Sequence, residues 1–425
     1  MVGEIKKFFY FPIAYYFRFF AKIQLSLWKP RIIVVTGSSG KTTLLNLIES
    51  QLQDKAKYSH FANSSYGIPF DILGLKRKTL TLDEWFYLFI FAPFKAFKRP
   101  SKEKIYVVEA DCDRPHEGKF LATLLKPEIT LWVNSSRTHT KNFDYLVLNQ
   151  QFPSVDEAIA YEFGYFLEYT KKIAIVNGDS KLIQQQLSRT ISQISPISPI
   201  SLISLISLKS YNIYKDRTEF VIDDKKYSFN FLVPKDVFFS IQMTKVLCEY
   251  LNVNFDPSFS NFTLPPGRCS LIKGIRDTTI IDSTYNATPD GVKSILQMFD
   301  LYHSDKKWLV LGDMIELGNE EKEEHEKIGE IIKKMKLQKI ILVGPRVSKY
   351  ISPIPQISPI TQTFLLPKDA LDYILNNIQG GEVVLFKGAR FLEGIIEHLL
   401  LDKNDAKKLV RREKVWENRR KSFGL

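Results

Sequence analysis

An α/β fold built on parallel sheets is what this sequence predicts, and three observations carry it. Short β-branched runs recur along the chain, each followed by a segment of helical spacing, the alternation of parallel βαβ units. One run, IIVV at 32–35, leads into the Gly/Ser turn of TGSSGKTT. Each run also stops at a polar residue, at the carboxyl end where open parallel sheets bind their ligands. The expected form is a P-loop-type central domain with a parallel sheet, plus a smaller Rossmann-like C-terminal α/β domain.

The chain has 425 residues, too many for one typical core. Its 44% hydrophobic and 25% charged content is that of a globular protein. Cys112, Cys248 and Cys269 are scattered, with no C-x-x-C pair, which argues against zinc and disulfides and for a reducing compartment. The net charge of +12 favours anionic partners. No nucleic-acid-binding module accompanies it, so nucleic acid is not expected.

The first segment, 1–30, is aromatic with interspersed basic residues. Lys6, Lys7, Pro12, Arg18 and Lys22 leave no uncharged span of membrane-crossing length. No signal-peptide cleavage site follows an apolar core. Two readings stay open: a helix lying on a membrane surface, or a helix packed on the domain.

The central domain is expected at 31–264. IIVV at 32–35 reads as a buried strand, and Gly37 and Gly40 allow positive φ and close ligand approach. The next helix aims its unpaired N–H groups at the turn. Lys41 can reach β/γ-phosphates, and the Thr42 hydroxyl can meet Mg²⁺. The motif is the short G-x-x-G-K-T-T, with Val35 at the first glycine position of the longer form. Without further context an ordinary β–α turn with a surface lysine explains it too. Three more strands follow, in KIYVVEADCDRP (104–115), PEITLWVNSSRTH (127–139) and KKIAIVNGDS (171–180). They place Glu109, His139 and Asp179 where one crevice with the Lys41 loop is expected. Glu109 could be a surface carboxylate; after a phosphate loop it has the place of a metal ligand. Asp111, Asp113 and Glu117 read as solvation of that loop. The tract 188–210 repeats Ile every third residue among Ser and Pro, which fits neither helix face nor central strand. It reads as an extended or disordered surface insertion.

TLPPGRCSLIKG (263–274) marks a domain junction. Beyond it, TTIIDS, KKWLVLGD, KIILVG and EVVLFKGAR read as strands of a second parallel unit, at 265–400, ending in Asp282, Asp313 and Lys387. LGDMIELG reads as a β–α turn with a helix cap. Residues 401–425 read as a basic, solvated tail.

Taken in order, TGSSGKTT, NSSYGIP (63–69), Glu109, His139, NGD (177–179), PPGR, DSTYNATPD, LGDMIELG with His325, and FKGAR resemble the Mur ligases over roughly residues 31–400. The resemblance implies an ATP-dependent amide ligase of peptidoglycan-precursor synthesis. Such an enzyme would phosphorylate a muramoyl-peptide carboxylate and add D-alanyl-D-alanine or a similar amine. It implies ATP and Mg²⁺ as cofactors. Gly37, Ser38, Ser39, Gly40, Lys41, Thr42 and Thr43 would cradle the phosphates, with Arg268, Asp282 and Asn286 on the nucleotide from the second domain. Thr42, Glu109 and His139 would be metal ligands, and Lys41, Glu109 and His139 the catalytic set. Asn63, Tyr285, Lys387 and Arg390 would face the substrates. A hinge at about 263–267 would close the domains. The implied partners are an anionic peptidoglycan-precursor substrate and an amino acid or dipeptide. The expected place is the cytoplasm, at the inner face of the membrane if residues 1–30 touch it.

Three departures bear on the substrate. Only about 30 residues precede the first strand, where a uridine-binding domain would take about 80–100. Phe163, with Glu162 beside it, stands where many of the family carry a carbamylated lysine. Asp236 and Ser240 stand where the family has a His-Asn element. The alternatives are a ligase acting on a lipid-linked or other non-UDP acceptor, a P-loop NTPase without ligation, and a non-catalytic ATP-binding relative.

Overall fold

The computed structural model describes residues 9–60, 62–77, 81–190, 200–388 and 391–425. Helix α1 (Tyr10–Trp28) precedes β1 (Arg31–Thr36), α2 (Lys41–Leu52), β2 (Ala56–Tyr58), α3 (Gly67–Leu73) and α4 (Leu82–Ala96). Then come β3 (Ile105–Ala110), α5 (Glu117–Leu125), β4 (Ile129–Trp132), α6 (Asp144–Leu148), α7 (Val155–Glu168), β5 (Ile173–Asn177), α8 (Lys181–Gln186) and β6 (Ile200–Ile203). Strands β7 (Leu208–Ile213), β8 (Thr218–Ile222) and β9 (Lys225–Phe229) lead to α9 (Val237–Leu251). The remainder runs β10 (Ser270–Lys273), β11 (Thr279–Ser283), α10 (Pro289–Leu301), β12 (Lys307–Gly312), α11 (Glu321–Ile332), β13 (Lys339–Val343) and α12 (Pro345–Tyr350). It closes with β14 (Thr361–Phe364), α13 (Pro367–Asn377), β15 (Val383–Lys387), α14 (Leu392–Leu399) and α15 (Lys414–Lys421).

The chain divides into two compact units. One comprises Met1–Ser136, Asn142–Leu205 and Phe239–Phe262, the other Arg137–Lys141, Ile206–Phe238 and Thr263–Leu425. This division differs from the expected 31–264 and 265–400 by placing 206–238 with the second unit.

In the first unit a six-stranded parallel sheet has the order β2-β3-β1-β4-β5-β6. Central β1 is buried along its length past Arg31, as both-faces-covered parallel strands must be. Strand order reverses beside β1, with β3 on one side and β4 on the other, so the loops leaving these three strands share one end. The register sets Val35 opposite Glu109 and Thr36 opposite Trp132.

Helix α1 packs on this unit. Ala14, Phe17 and Ala21 are fully buried at helical spacing. The Tyr16 hydroxyl donates to Phe89 O (2.8 Å) and Trp28 Nε1 to Glu103 O (2.7 Å). Of the two readings of residues 1–30, the packed helix describes this buried face, while Phe19 and Tyr15 stay exposed on α1. Among the described residues no helix is long and apolar enough to cross a membrane.

In the second unit the sheet order is β10-β11-β15-β12-β13-β14, parallel except for edge strand β10. A separate antiparallel sheet, β7-β8-β9, belongs to the same unit. The repetitive tract is more ordered than a surface insertion. Its residues 200–203 form β6, paired with β5, and Leu208 begins β7, paired with β8; 191–199 lie outside the described residues. Spacing by threes hides the strand because β6 is an edge whose outer groups need no alternating pattern.

The basic C-terminus is also more than a solvated tail. Arg411 donates to Thr284 O (3.1 Å) and Tyr285 O (2.6 Å), and Arg420 is buried and donates to Arg411 O (2.6 Å). The tail thus braces the loop after β11 with charge-assisted bonds.

Candidate active site

The turn after β1 is held open by the β4 loop. Gly37 has φ +132°, and a Cβ there would stand 2.7 Å from Asn134 O. Gly40 has φ +79° and begins α2. Asn134 Oδ1 accepts from Ser39 N (2.9 Å), and its Nδ2 donates to Ser39 Oγ (2.6 Å). Ser38 Oγ donates to Ser136 O (2.7 Å) and accepts from Ser136 N (2.9 Å). Only glycine fits the first position, and Ser38 and Ser39 are tied to the β4 loop by the Ser136 backbone and the Asn134 side chain.

Lys41, at the first position of α2, is buried and folds back over the turn. Its Nζ donates to Gly37 O (2.5 Å) and pairs with Asp111 Oδ2 (2.8 Å). Burial alone would depress its pKa; the charges of Asp111, Glu109 and Asp113 win, and the pKa is raised. Thr42 Oγ1 donates to Glu109 Oε2 (2.9 Å). Glu109 N accepts support from Ser59, donating to its Oγ (2.9 Å), and Asp111 N donates to Asn63 O (2.8 Å). Lys41, Thr42, Glu109 and the glycine turn therefore stand together in one unit, with Asn63 bonded through its backbone to Asp111. Thr43, half-buried, follows on α2. A cationic lysine, backbone N–H groups at a helix N-terminus and a hydroxyl–carboxylate pair are the parts that hold a nucleotide triphosphate.

Asp111 and Asn134 were not expected in these roles. Asp111 read as loop solvation, yet it is buried as the countercharge of Lys41. Its position two residues beyond Glu109, at the same strand end, was the available signal. Asn134 carried none beyond its strand-end place.

His139 groups with the second unit, where its Nδ1 lies 2.6 Å from Glu316 Oε2. That contact holds the Glu316 carboxyl below the usual range. Asp179 accepts from Ser204 Oγ (2.6 Å) and Leu205 N (2.7 Å), tying down the end of β6.

Glu162 caps α5, accepting from His116 N (2.8 Å) and Gly118 N (2.9 Å). Burial nonetheless raises its pKa. Phe163 is fully buried, with its ring 6.0 Å from that of Trp132. Asp236 accepts from Ser294 Oγ (2.7 Å).

In the second unit Asp282, one residue before the end of β11, is fully buried. Its Oδ1 accepts from Thr284 N (3.0 Å) and Thr284 Oγ1 (2.7 Å), while its Oδ2 and the buried Nε of Arg268 have no hydrogen-bond partner among the described residues. Burial raises the Asp282 pKa. The Arg268 guanidinium lies 4.2 Å from the centroid of the Tyr285 ring. Tyr285 and Asn286 are exposed. Lys387, buried at the end of β15, is 3.5 Å from Ser283 Oγ. Its pKa is pushed down by burial to about 8. Arg390 lies outside the described residues. These groups form a second polar cluster.

In LGDMIELG the acid after β12 does cap a helix, α12 rather than the helix that follows the turn. Asp313 accepts from Arg346 N and Val347 N, both at 3.0 Å, capping α12. His325 accepts from Met314 N (3.2 Å), and burial lowers its pKa.

Fold and loop define an α/β protein of the P-loop class, the class that binds nucleoside triphosphates. The Mur ligase middle domain matches residues 35–234, and the Mur ligase glutamate ligase domain matches residues 267–390. The chain belongs to the Mur ligase family and is an ATP-dependent ligase. It is 24% identical over 401 residues to the UDP-N-acetylmuramoyl-tripeptide–D-alanyl-D-alanine ligase of Bacillus subtilis (strain 168), covering 89% of this chain and 78% of that relative. The enzyme of the same name from Rickettsia prowazekii (strain Madrid E) is 23% identical over 374 residues, covering 85% and 76%. Among solved structures, the MurF ligase from Thermotoga maritima in complex with ADP superposes with a TM-score of 0.71 at 21% identity, covering 93% of this chain and 84% of that one. A pseudomurein peptide ligase type C from Methanothermus fervidus gives a TM-score of 0.56 at 14% identity, covering 87% and 79%. At those identities the structures speak for the fold.

Proposed function

We propose that this ligase joins D-alanyl-D-alanine, or a similar amine, to the free carboxylate of a muramoyl peptide. The observation that carries the reading is the buried Lys41–Asp111 pair beside the Thr42–Glu109 bond. The names of the relatives that match along most of the chain supply the substrate class.

In this reading the carboxylate oxygen attacks the γ-phosphorus and ADP leaves. The amine then attacks the acyl carbon, phosphate departs with the former carboxylate oxygen, and the amine loses a proton. The protein's contribution is positioning and charge neutralisation. Lys41 exchanges Asp111 for the β/γ-phosphates, and the N–H groups from Gly37 to Thr43 cradle them. Thr42 and Glu109 form a hard oxygen pair suited to Mg²⁺, which when bound neutralises phosphate charge. His139 is proposed to hold a second Mg²⁺. Arg268, Asp282 and Asn286 serve the nucleotide; Asn63, Tyr285, Lys387 and Arg390 face the substrates. The domain ranges 31–264 and 265–400, hinged at about 263–267, are part of the same proposal. Because ATP is spent, the reaction is placed in the cytoplasm, in keeping with three free cysteines.

A second reading is a lipid-linked acceptor. The broad apolar exposure of α4 favours it.

The test is phosphate release from ATP and Mg²⁺ by the purified chain, with and without a UDP-muramoyl-tripeptide and D-alanyl-D-alanine. Release that needs both substrates and disappears in Lys41→Ala supports the first reading. Release only with a lipid-linked acceptor supports the second. ATP binding with no release on any acceptor overturns both and leaves a non-catalytic relative.

A further inference from the structure

Between its acidic first turn and Lys95, helix α4, LDEWFYLFIFAPFKA, is apolar around its circumference, from Trp85 to Phe94. A helix of that kind is ordinarily covered on every side. One side is covered here: Leu88, Ala92 and Ala96 are fully buried, and the Phe89 ring lies 5.0 Å from that of Phe17 on α1. The other side is bare. Leu82 is 90% exposed, Phe86 69%, Ile90 43%, Phe94 70%, and Phe97, just past the helix, 70%. These positions recur every three to four residues, so they form one stripe. Single exposed apolar residues are ordinary; a continuous row of this size marks an interaction surface.

The charge beside the stripe says what covers it. Lys95, Lys98, Arg99, Lys102 and Lys104 follow in ten residues against one acid, Glu103. Lys98, Arg99, Lys102 and Lys104 are exposed, as are Lys76 and Arg77 before the helix. The acids Asp83 and Glu84 sit in the first turn, where they answer the helix's own N-terminal N–H groups. Phenylalanine on one face and flexible lysines at its end match acyl chains and anionic headgroups, with lysine stems free to reach the phosphates. A folded protein partner would need a shaped counterpart for each ring; a bilayer needs none.

We propose that α4 is a monotopic membrane anchor, lying along an anionic bilayer with the Leu82–Phe97 stripe among the acyl chains and the Lys95–Lys104 segment on the headgroups. At about 1.5 Å per residue, the helix runs parallel to the surface, and no described helix is long and apolar enough to cross. The anchor is independent of the acceptor's identity. It relocates the membrane contact expected for residues 1–30: the buried face of α1 is the support on which α4 is displayed.

The test is flotation of the full chain with vesicles of phosphatidylcholine alone or with phosphatidylglycerol added, at low and high salt. The protein is expected to float with phosphatidylglycerol vesicles, less so as salt rises. The variant F86S/F94S/F97S is expected to lower the bound fraction about tenfold or more, with its melting temperature little changed because these rings lie outside the core. The variant K98E/R99E/K102E is expected to lose the preference for phosphatidylglycerol. Failure of the unmodified chain to float with either vesicle overturns the proposal. So does undiminished flotation of the phenylalanine variant. A dimer by light scattering that the phenylalanine variant splits, with no flotation, assigns the stripe to a second copy and also overturns it.

Discussion

Lys41, just after the turn that follows β1, and Lys387, at the end of β15, are both buried, one in each unit, and they are held in opposite ways. Lys41 has Asp111 at 2.8 Å, and although burial works against its charge, Asp111, Glu109 and Asp113 raise its pKa. Lys387 has a hydroxyl at 3.5 Å, and burial carries its pKa down to about 8 despite Cys269 and Asp282 nearby. In the proposed function the first is a charge held by a carboxylate until a phosphate replaces it. The second keeps its charge less firmly, because burial works against it with no carboxylate among the described residues bonded to it.

The comparison can be broken most forcefully at Lys41. Lys41→Ala is expected to lower substrate-dependent phosphate release by about a thousandfold or more, measured in a coupled phosphate assay. A loss under tenfold would mean that the loop does not hold the reacting phosphates. Asp111→Asn removes the countercharge while keeping the shape. Stability to urea is expected to fall by about 2–4 kcal/mol, as when one member of a buried pair is removed. Adding Lys41→Met to that variant should restore most of the loss. An unchanged midpoint for Asp111→Asn would show that the pair contributes nothing.

Lys387 sharpens the contrast because its sign is opposite. The unfolded chain holds this lysine near 10.5 and the folded chain near about 8. Between those pH values the unfolded state binds more protons, so stability rises with pH through the window. Lys387→Met is expected to stabilise the fold at pH 7 by about 1–3 kcal/mol and to flatten that rise, while activity drops. A destabilised variant would show Lys387 already paired in the free protein. The smallest effect is expected at Tyr285, whose ring carries Arg268. Tyr285→Ala should raise the KM for ATP several-fold, about 1 kcal/mol, and leave the melting temperature within a degree or two.

How much of this was legible in the sequence follows from how local each feature is. The loop from Gly37 to Thr43 and the Glu109 strand end were readable because one turn and one neighbouring strand build them. The parallel strands of both units were readable as short apolar runs. The antiparallel β7-β8-β9 sheet was not, since its first strand begins in the Ile/Ser repeat, and the edge strand β6 lies inside it. The role of Asp111 depends on where the Lys41 side chain folds, and that of Glu162 on two backbone N–H groups more than forty residues away. His139 meets Glu316 across 177 residues of sequence. The bare stripe of α4 was hidden for the opposite reason: by composition alone the helix reads as core, and only its packing leaves half of it uncovered.

The central claim is that ATP is spent on activating a carboxylate. Its most direct measurement uses a muramoyl-peptide substrate labelled with ¹⁸O in the carboxylate, with ATP, Mg²⁺ and the amine, and weighs the released phosphate by mass spectrometry. An acyl phosphate predicts one ¹⁸O in each phosphate released, and none in Lys41→Ala, where release itself is lost. Phosphate released without label would mean that water, not the carboxylate, attacks ATP, and would contradict the account.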